Sequence, residues 1–283
     1  MSASKIIDCL LNSANAARTD PCRKAQLLHL PGRGDLVVAG DLHNHQRNFE
    51  RITHFADLAH HPSRIVILQE LIHGGVLGPQ GEDCSFDMLL AALNWAERFP
   101  GQVHLLLANH DLAQVQRLAV MKDGYDLTER FDRHIALRYG KDAPDIINAF
   151  RDFVFALPLA AITVNGLFLS HSLPAPRDLA TFDSTILRRP LTEADYVRHG
   201  SVYQLIWGRN QSAEGLAKLS KTWWADVFIC GHQGQDAGFR VIADKLLIID
   251  SCHNHGVVLR TDLARPSTVP DLVNSLVPLA SIV

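Results

Sequence analysis

The sequence predicts an α/β protein built around a buried, mostly parallel β-sheet. From residue 35 onward, apolar runs of strand length alternate with stretches of helical periodicity, which is the pattern of βαβ units. Hydrophobic residues make up 47% of the 283-residue chain and charged residues 20%, so the chain can bury a sizeable core. Because no linker cleanly separates two domains, we expect one α/β domain at 35–263 with a helical insertion at about 111–157.

The elements of the first half alternate between strand and helix. An amphipathic helix with a lead-in is followed by a first apolar run, a helical stretch, a second apolar run, a loop rich in Gly and Pro, a second helical stretch and a third apolar run. These segments are, in order, 1–34, 35–40, 47–61, 64–70, 74–83, 87–99 and 102–109. In sheets of this kind, ligands bind in the loops outside the carboxyl ends of the strands.

The second half is richer in β-structure. An Asn165-Gly166 turn signal lies between two β-rich runs at 160–172 and predicts a hairpin. The last 20 residues, 264–283, contain several prolines and are expected to form an extended or loosely packed tail. Further strands are predicted within 224–232, 239–251 and 256–263.

The composition argues against several kinds of partner and environment. The formal net charge is −3 and the chain has no Lys/Arg blocks, so we expect no nucleic-acid partner and no membrane partner. The 5 cysteines are widely spaced and form no CxxC pair, which argues against a disulfide framework or a zinc knuckle and for a reducing compartment. No apolar run is long enough to span a bilayer, and we therefore expect a cytoplasmic protein.

Histidine is the exception in this composition, with 15 residues, and the positions of several are informative. Asp41 and His43 follow the first core strand, and residues two apart in extended chain point to the same side. Oxygen and imidazole donors without a thiolate suit Mn²⁺, Fe or Zn²⁺. Two such ions about 3.5–4 Å apart can clamp a phosphoryl group and activate a water molecule, so the pattern predicts phosphoester hydrolysis. Other strand-like runs also end at metal-competent or acid–base residues, namely Glu70, Asn109 with His110 and Asp111, His171, and His232.

The ordered motifs GDLHNH, QELIHGG, ANHD, an isolated SH and GHQ resemble those of the calcineurin-like metallophosphoesterase superfamily. Within it, the stretch from Ser251 to Gly256 is similar to the strand–loop–strand end of the phosphoprotein (serine/threonine) phosphatase family. The resemblance spans roughly residues 35–262. It implies an α/β fold (α+β in some schemes), a β-sandwich of two mixed sheets flanked by helices, which amends the prediction of a doubly wound sheet.

The resemblance also implies a role for each motif residue. His110 would protonate the leaving alkoxide or stabilise the charge that develops there. Asp111 would orient a neighbouring histidine, and Arg209 would bind the phosphate oxygens. The cofactors would be two divalent ions, with Mn²⁺ expected and Fe or Zn²⁺ as alternatives. Two residues would hold the first ion, one would bridge both, and three would hold the second; these are, in order, Asp41, His43, Glu70, Asn109, His171 and His232.

The second motif departs from the family pattern at three positions. Glu70 replaces an aspartate and lengthens the metal bridge by one methylene group. His73 stands where the family has the aspartate that orients the general acid, which makes His73 a further catalytic candidate. Gly74 replaces a phosphate-binding arginine. We therefore expect phosphate affinity or substrate choice to differ from that of the eukaryotic enzymes.

Each assignment has a structural alternative. Asp41 and His43 could belong to an ordinary turn, and Glu70 could pair with an arginine at the end of a strand. His171 and His232 could be core histidines with satisfied hydrogen bonds. Trp207 could border the site or only pack, and Cys230 and Cys252 lie beside motifs without a base that would favour thiol catalysis. Roles in the cleft and structural roles are equally open for four histidines. His45 could lie at the N-terminus of a helix, His73 could be a plain loop residue, and His253 and His255 could simply be exposed.

The predicted activity is hydrolysis of phosphate monoesters, including phosphoserine or phosphothreonine, by in-line attack of a metal-bridging hydroxide. The substrate would be a phosphoprotein or a small phosphoester. Two alternatives are kept. One is a hydrolase of dinucleoside polyphosphates or other phosphodiesters, and the other is a metal-binding pseudo-phosphatase.

Overall fold

The computed structural model describes residues 1–122 and 124–283. Among these residues, no helix is both long enough and apolar enough to cross a lipid bilayer. The helices are α1 (Ala3–Thr19), α2 (Gln46–Ala56), α3 (Ser85–Arg98), α4 (Asn109–Gln116), α5 (Leu127–Tyr139), α6 (Ala143–Val154), α7 (Glu193–Tyr196), α8 (Ser201–Trp207), α9 (Ala213–Trp223) and α10 (Val269–Asn274). The strands are β1 (Arg23–Lys24), β2 (Leu27–His29), β3 (Asp35–Asp41), β4 (Ile65–Gln69), β5 (Val103–Leu105), β6 (Met121–Lys122), β7 (Tyr125–Asp126), β8 (Ala160–Ile162), β9 (Leu167–Ser170), β10 (Val227–Cys230), β11 (Phe239–Ile242), β12 (Leu246–Ile249), β13 (Val257–Asp262) and β14 (Leu276–Pro278).

The strands form two mixed sheets and a short β6–β7 hairpin. The larger sheet has the order β1-β2-β8-β9-β10-β12-β11, and the smaller has the order β14-β13-β3-β4-β5. In the smaller sheet β3, β4 and β5 are parallel, and β13 runs antiparallel to β3. In the larger sheet β9, β10 and β12 are parallel, β8 runs parallel to β2 but antiparallel to β9, and β11 runs antiparallel to β12. The arrangement confirms two mixed sheets flanked by helices and corrects the first expectation of a single, mostly parallel sheet.

The two sheets pack face to face because the central strands are apolar on both sides. In β3, Leu36 and Val38 belong to a core that they share with Ile249 of the larger sheet. The alternate residue Val37 belongs to a second core, which includes Leu90 of α3. Successive side chains of a strand point to opposite faces, so β3 is buried between the second sheet and the helices.

The two ends of the chain are joined to the sheets. β2 pairs with β8, so residues 1–34 add an edge to the larger sheet. The prolines had suggested a loosely packed C-terminal tail, but these residues are well packed. Leu272 and Leu279 are fully buried, and β14 pairs with β13. Pro270 lies in the first turn of α10, where a proline costs no hydrogen bond, so it is compatible with an ordered helix.

The predicted helical insertion contains most of α4, the β6–β7 hairpin, α5 and α6. Asp123, inside this insertion, lies outside the described residues. The strand predicted at 102–109 is shorter than expected, since β5 ends at Leu105 and α4 begins at Asn109. On α5, the ring of Phe131 lies 5.7 Å from the ring of His73. The insertion therefore forms one wall beside the second motif.

Candidate metal centre and active site

The predicted site residues converge because the two sheets meet at the carboxyl ends of their parallel strands. Asp41 ends β3, and Glu70 follows β4. The Ser251 N–H donates to the Asp41 carbonyl oxygen at 3.1 Å, and the Gly40 N–H donates to Ser251 Oγ at 2.9 Å. These bonds tie the loop after β12 to the end of β3, so loops from both sheets face one another, as expected for a ligand site in an α/β fold.

Several residues of this site have a positive backbone φ angle, a conformation that residues other than glycine rarely adopt. The φ angles are +42° at His43, +48° at Glu70, +64° at His73 and +66° at His232. At Gly231 a side chain would collide with Asp41 Oδ1, so the close approach requires glycine. Backbone strain of this kind persists where the surrounding structure enforces it, and it concentrates at functional sites.

Asp41 and His43 present free ligand atoms to the same space. Asp41 Oδ1 accepts a hydrogen bond from the His232 N–H at 2.8 Å. His43 Nδ1–H donates to the Ile72 carbonyl oxygen at 3.0 Å, which leaves the lone pair on Nε2. This Nε2 lies 3.9 Å from Asp41 Oδ2. A histidine whose second nitrogen is anchored to a carbonyl is typical of metal sites.

The residues predicted for a second ion surround one amide oxygen. Asn109 Oδ1 lies 2.6 Å from His171 Nε2 and 2.9 Å from His232 Nδ1. His171 Nε2 also lies 3.1 Å from Glu70 Oε2. All four side chains are buried. The structure therefore brings together Glu70 and the three ligands that the resemblance assigns to the second ion.

The donor set fits a divalent cation better than it fits protons. Gln69 Nε2 donates to the Ala39 carbonyl oxygen at 3.1 Å, so its Oε1 faces His171 Nδ1 at 3.0 Å and requires a proton there. His171 Nε2 then directs a lone pair at oxygens of Asn109 and Glu70, and burial lowers the pKa of His171 to about 4, which disfavours a second proton. Glu70 Oε1 is buried and has no hydrogen-bond partner among the described residues. A metal ion would satisfy these atoms together.

A chain of hydrogen bonds fixes the orientation of His110. Gln114 Nε2 donates to the Thr128 carbonyl oxygen at 3.4 Å and to Asp132 Oδ1 at 2.8 Å. Gln114 Oε1 must therefore accept from His73 Nε2–H, at 2.7 Å. The lone pair of His73 is then on Nδ1, which accepts from His110 Nδ1–H at 3.1 Å. His110 is thus held with its other nitrogen, Nε2, directed away from His73.

The centre disfavours uncompensated charge. Burial raises the pKa of the Glu70 carboxyl and lowers the pKa of His73 to about 4. Burial, followed by the neighbouring imidazoles of which His43 is the strongest, also lowers the pKa of His110. Ligand atoms of His43, Glu70 and His110 lie within 4.8 Å of one another. His110 is therefore close enough to contact a substrate or ion held by the neighbouring ligands.

The comparison with protein families now identifies the chain. The model of the family described as calcineurin-like phosphoesterase matches residues 35–259. The chain belongs to this family. Its members are metal-dependent hydrolases, which agrees with the geometry of the candidate ligands.

Similar proteins include serine/threonine phosphatases. The chain is 24% identical over 229 residues to a probable serine/threonine-protein phosphatase of Encephalitozoon cuniculi. That match covers 76% of this chain and 46% of the relative, so the chain spans about half the length of the curated relative it matches.

The fold is also that of solved phosphatase structures. It matches a Saccharomyces cerevisiae protein serine/threonine phosphatase with similarity to human phosphatase PP5, at a TM-score of 0.67 and 14% identity, covering 92% of this chain and 82% of that one. It also matches a cold-active protein-tyrosine phosphatase of a psychrophilic Shewanella species at a TM-score of 0.60 and 11% identity. That match covers 94% of this chain and 84% of the other. These likenesses confirm the metallophosphoesterase sandwich.

The structure corrects the role predicted for Asp111. Asp111 Oδ2 accepts a hydrogen bond from the Ala108 N–H at 3.1 Å and closes the first turn of α4. Within residues 1–122 and 124–283, no histidine nitrogen is hydrogen-bonded to Asp111. A carboxylate three residues after a helix cap is well placed to accept from the cap's backbone, so Asp111 supports the helix that carries Asn109 and His110.

Arg209 and Trp207 lie near the candidate metal ligands His171 and His232. Arg209 is exposed, and its positive charge is close enough to oppose protonation of His171 and His232, whose pKa values are lowered first by burial and further by Arg209. The Trp207 ring lies 6.1 Å from the His232 ring and stacks on Tyr203. Trp207 therefore packs against Tyr203 and also borders the site, so both roles considered for it apply.

Two of the three remaining histidine candidates have structural partners for their side chains. His45 caps α2, because its Nδ1 accepts from the Asn48 N–H at 3.2 Å. His253 Nε2 donates to the Gln235 carbonyl oxygen at 2.9 Å, and His255 is exposed. Three residues that orient the site were not among the candidates predicted from the sequence, namely Gln69, Gln114 and Asp132. Only Gln69 carried a signal, since it directly precedes Glu70.

Proposed function

We propose that this phosphoesterase is a dinuclear metal-dependent phosphatase that hydrolyses phosphate monoesters, with phosphoserine or phosphothreonine proteins as the favoured substrates. The observation that carries the proposal is the buried lone pair of His171 Nε2, held 2.6 Å from Asn109 Oδ1 and 3.1 Å from Glu70 Oε2. Two divalent ions, with Mn²⁺ expected, would polarise the phosphate and activate water for in-line attack. The serine/threonine phosphatase relatives support the substrate class.

The neighbouring side chains would assist the leaving group and bind the phosphate, and the candidate ligands would hold the ions. A bound phosphate dianion would favour a second proton on His110, at the Nε2 that is directed away from His73. This Nε2–H would then protonate the departing alcohol or stabilise the charge on its oxygen. Arg209 would bind phosphate oxygens from the exposed side of the site. Asp41 and His43 would hold one ion, Glu70 would bridge, and the group around Asn109 would hold the other.

The proposal is tested by metal-dependent hydrolysis of an aryl phosphate monoester and the matching diester by the purified chain. We expect turnover of the monoester that requires Mn²⁺ and exceeds turnover of the diester. A phosphopeptide and a dinucleoside polyphosphate are then compared at equal concentration. Preference for the polyphosphate would favour the diester-type hydrolase, and bound metal without turnover of any of these substrates would favour a pseudo-phosphatase.

Replacing Gln114 with Leu is expected to lower kcat roughly tenfold with little change in KM. Leucine removes the acceptor of His73 Nε2–H, so His73 can no longer be held as the acceptor for His110. Steady-state kinetics on the aryl phosphate check this. The matched control is Gln116→Leu on the same helix, where the amide donates to the Tyr196 carbonyl oxygen instead. An equal loss of kcat in both variants, or a change confined to KM, would contradict the positioning role of Gln114.

Replacing Arg209 with Ala is expected to raise KM roughly tenfold, because a charge-assisted contact to the phosphate is lost. The kcat value should change less, since the metal ligands and His110 are untouched. The measurement is the dependence of rate on aryl phosphate concentration, with Arg265→Ala as the control for removal of another exposed arginine. An unchanged KM in Arg209→Ala would show that Arg209 does not contribute to phosphate binding.

A further inference from the structure

A second group of metal-competent side chains lies outside the candidate active site, where the loop after His73 meets α5. Glu82 and Cys84 come from this loop, and His134 comes from the middle of α5. One ligand atom of each residue lies within 4.8 Å of those of the other two. Glu82 and His134 are buried and Cys84 is half-buried, so the group is largely shielded from solvent.

Backbone hydrogen bonds hold the loop against the helix at this point. The Asp83 N–H donates to the Arg130 carbonyl oxygen at 3.1 Å, one helical turn before His134. Asp83 Oδ1 accepts from the Ser85 N–H at 2.8 Å, and Oδ2 accepts from the Gly74 N–H at 3.2 Å. The neighbours of Asp83 on either side, Glu82 and Cys84, are therefore fixed beside α5.

His134 lacks the hydrogen bond that a buried imidazole normally makes. Its side chain is 8% exposed, and Nε2 has no hydrogen-bond partner among residues 1–122 and 124–283. Asp87 Oδ2 lies 3.6 Å from this nitrogen, too far for a hydrogen bond. A buried ring nitrogen beside carboxylates and a thiol needs a partner, and a cation would supply it.

We propose that Glu82, Cys84 and His134 form a structural metal site for a single zinc ion, with the Asp87 carboxylate, whose oxygens also accept from Arg138 Nη1, as the fourth ligand. Thiolate, imidazole and carboxylate are the ligands that Zn²⁺ takes in tetrahedral sites. The thiolate distinguishes this site from the candidate active site, whose ligands are oxygen and imidazole nitrogen. Binding would release the thiol proton to solvent.

The site would steady the backbone next to the candidate active site. Ser85, one residue after Cys84, accepts the His73 N–H through its Oγ at 3.0 Å. His73 has a φ of +64°, a conformation that its neighbours must enforce. A metal ion joining the loop to α5 would fix Ser85, and through it the His73 backbone.

The experiment loads the metal-free full chain with Co²⁺ and records the thiolate-to-cobalt charge-transfer band, which oxygen and nitrogen ligands do not produce. We expect the band in the wild type, its loss in Cys84→Ser, and a strongly reduced band in His134→Gln. Cys22→Ser, a substitution of another half-buried thiol, is the matched control and should keep the band. Zinc content of the wild type should exceed that of Cys84→Ser by one ion per chain.

Absence of the band in the wild type with cobalt bound, or its persistence in Cys84→Ser, would overturn the proposal. A second measurement needs no substitution at the site. In the wild type and in Asp41→Asn alike, zinc should protect Cys84 from alkylation, as read by peptide mass. Equal alkylation of Cys84 with and without zinc would also overturn it, whatever the activity of the protein.

Discussion

Asp41→Asn is expected to lower kcat/KM for the metal-dependent hydrolysis of an aryl phosphate by about a thousandfold or more, which corresponds to about 4 kcal/mol of transition-state stabilisation. Asparagine has nearly the same shape as aspartate, and its carboxamide oxygen can still accept from the His232 N–H, now bonded at 2.8 Å. The fold should therefore survive. The substitution removes the negative charge from the side chain that approaches His43 Nε2 and from the pair proposed to hold the first ion.

The measurement combines Mn²⁺ titrations of activity with the metal content of the dialysed protein. Asp57→Asn is the matched control, since it makes the same chemical change in a half-exposed carboxylate at the end of α2. We expect Asp57→Asn to keep wild-type activity and metal content. Full activity in Asp41→Asn at limiting Mn²⁺ would remove Asp41 from the ligand set. Inactivity of the wild type itself would instead challenge the proposed function.

The sequence could locate most of the candidate ligand residues because they end a strand or closely follow one. Asp41 and Glu70 directly end or follow β3 and β4, and the pattern of apolar runs locates those ends. The order of the motifs then indicated which sheet-end residues belong together. The order of the strands in the sheets was harder to predict, since β2, β8 and β14 are each three residues long and show little periodicity.

The residues that orient the site could not be predicted from local pattern. Gln114 and Asp132 lie on the helices α4 and α5, and their sequence surroundings resemble ordinary helix surface. Their importance comes from tertiary packing, which places the Gln114 amide between His73 and the Asp132 carboxylate. The role of Asp111 was mispredicted for the same reason. Its position next to Asn109 and His110 suggested a hydrogen bond to a histidine, but its carboxylate accepts from the Ala108 N–H at the start of α4.

The substitution of His73 for an aspartate changes what His110 can be expected to do. In the pattern that this chain resembles, a carboxylate orients the general acid. Here the partner is an imidazole whose Nε2–H is committed to Gln114, so it can only accept from His110. This arrangement fixes the direction of the His110 ring without placing a negative charge beside it. The neutral His110 ring carries its one N–H on Nδ1, so it can act on the leaving group only after Nε2 has taken up a proton, which a bound phosphate dianion would favour.

His110→Asn is expected to lower kcat by about 10²–10⁴, the usual contribution of a positioned acid or base. The asparagine amide can replace Nδ1–H as the donor to His73 and leaves nothing at the position of Nε2, so the substitution separates the two nitrogens. His110→Gln is the matched variant, since it places an amide near the Nε2 position and gives up the contact with His73. Both variants should keep their metal content, because the ligand group around Asn109 is unchanged.

The decisive comparison is between two leaving groups. If His110 protonates the departing oxygen, His110→Asn should lose far more activity on phenyl phosphate than on 4-nitrophenyl phosphate, because the more basic phenolate needs the proton more. A uniform loss on both esters would assign His110 to charge stabilisation. Loss of a bound ion in His110→Asn would instead place His110 among the metal ligands, a role for which its distance to His43 and Glu70 is short enough.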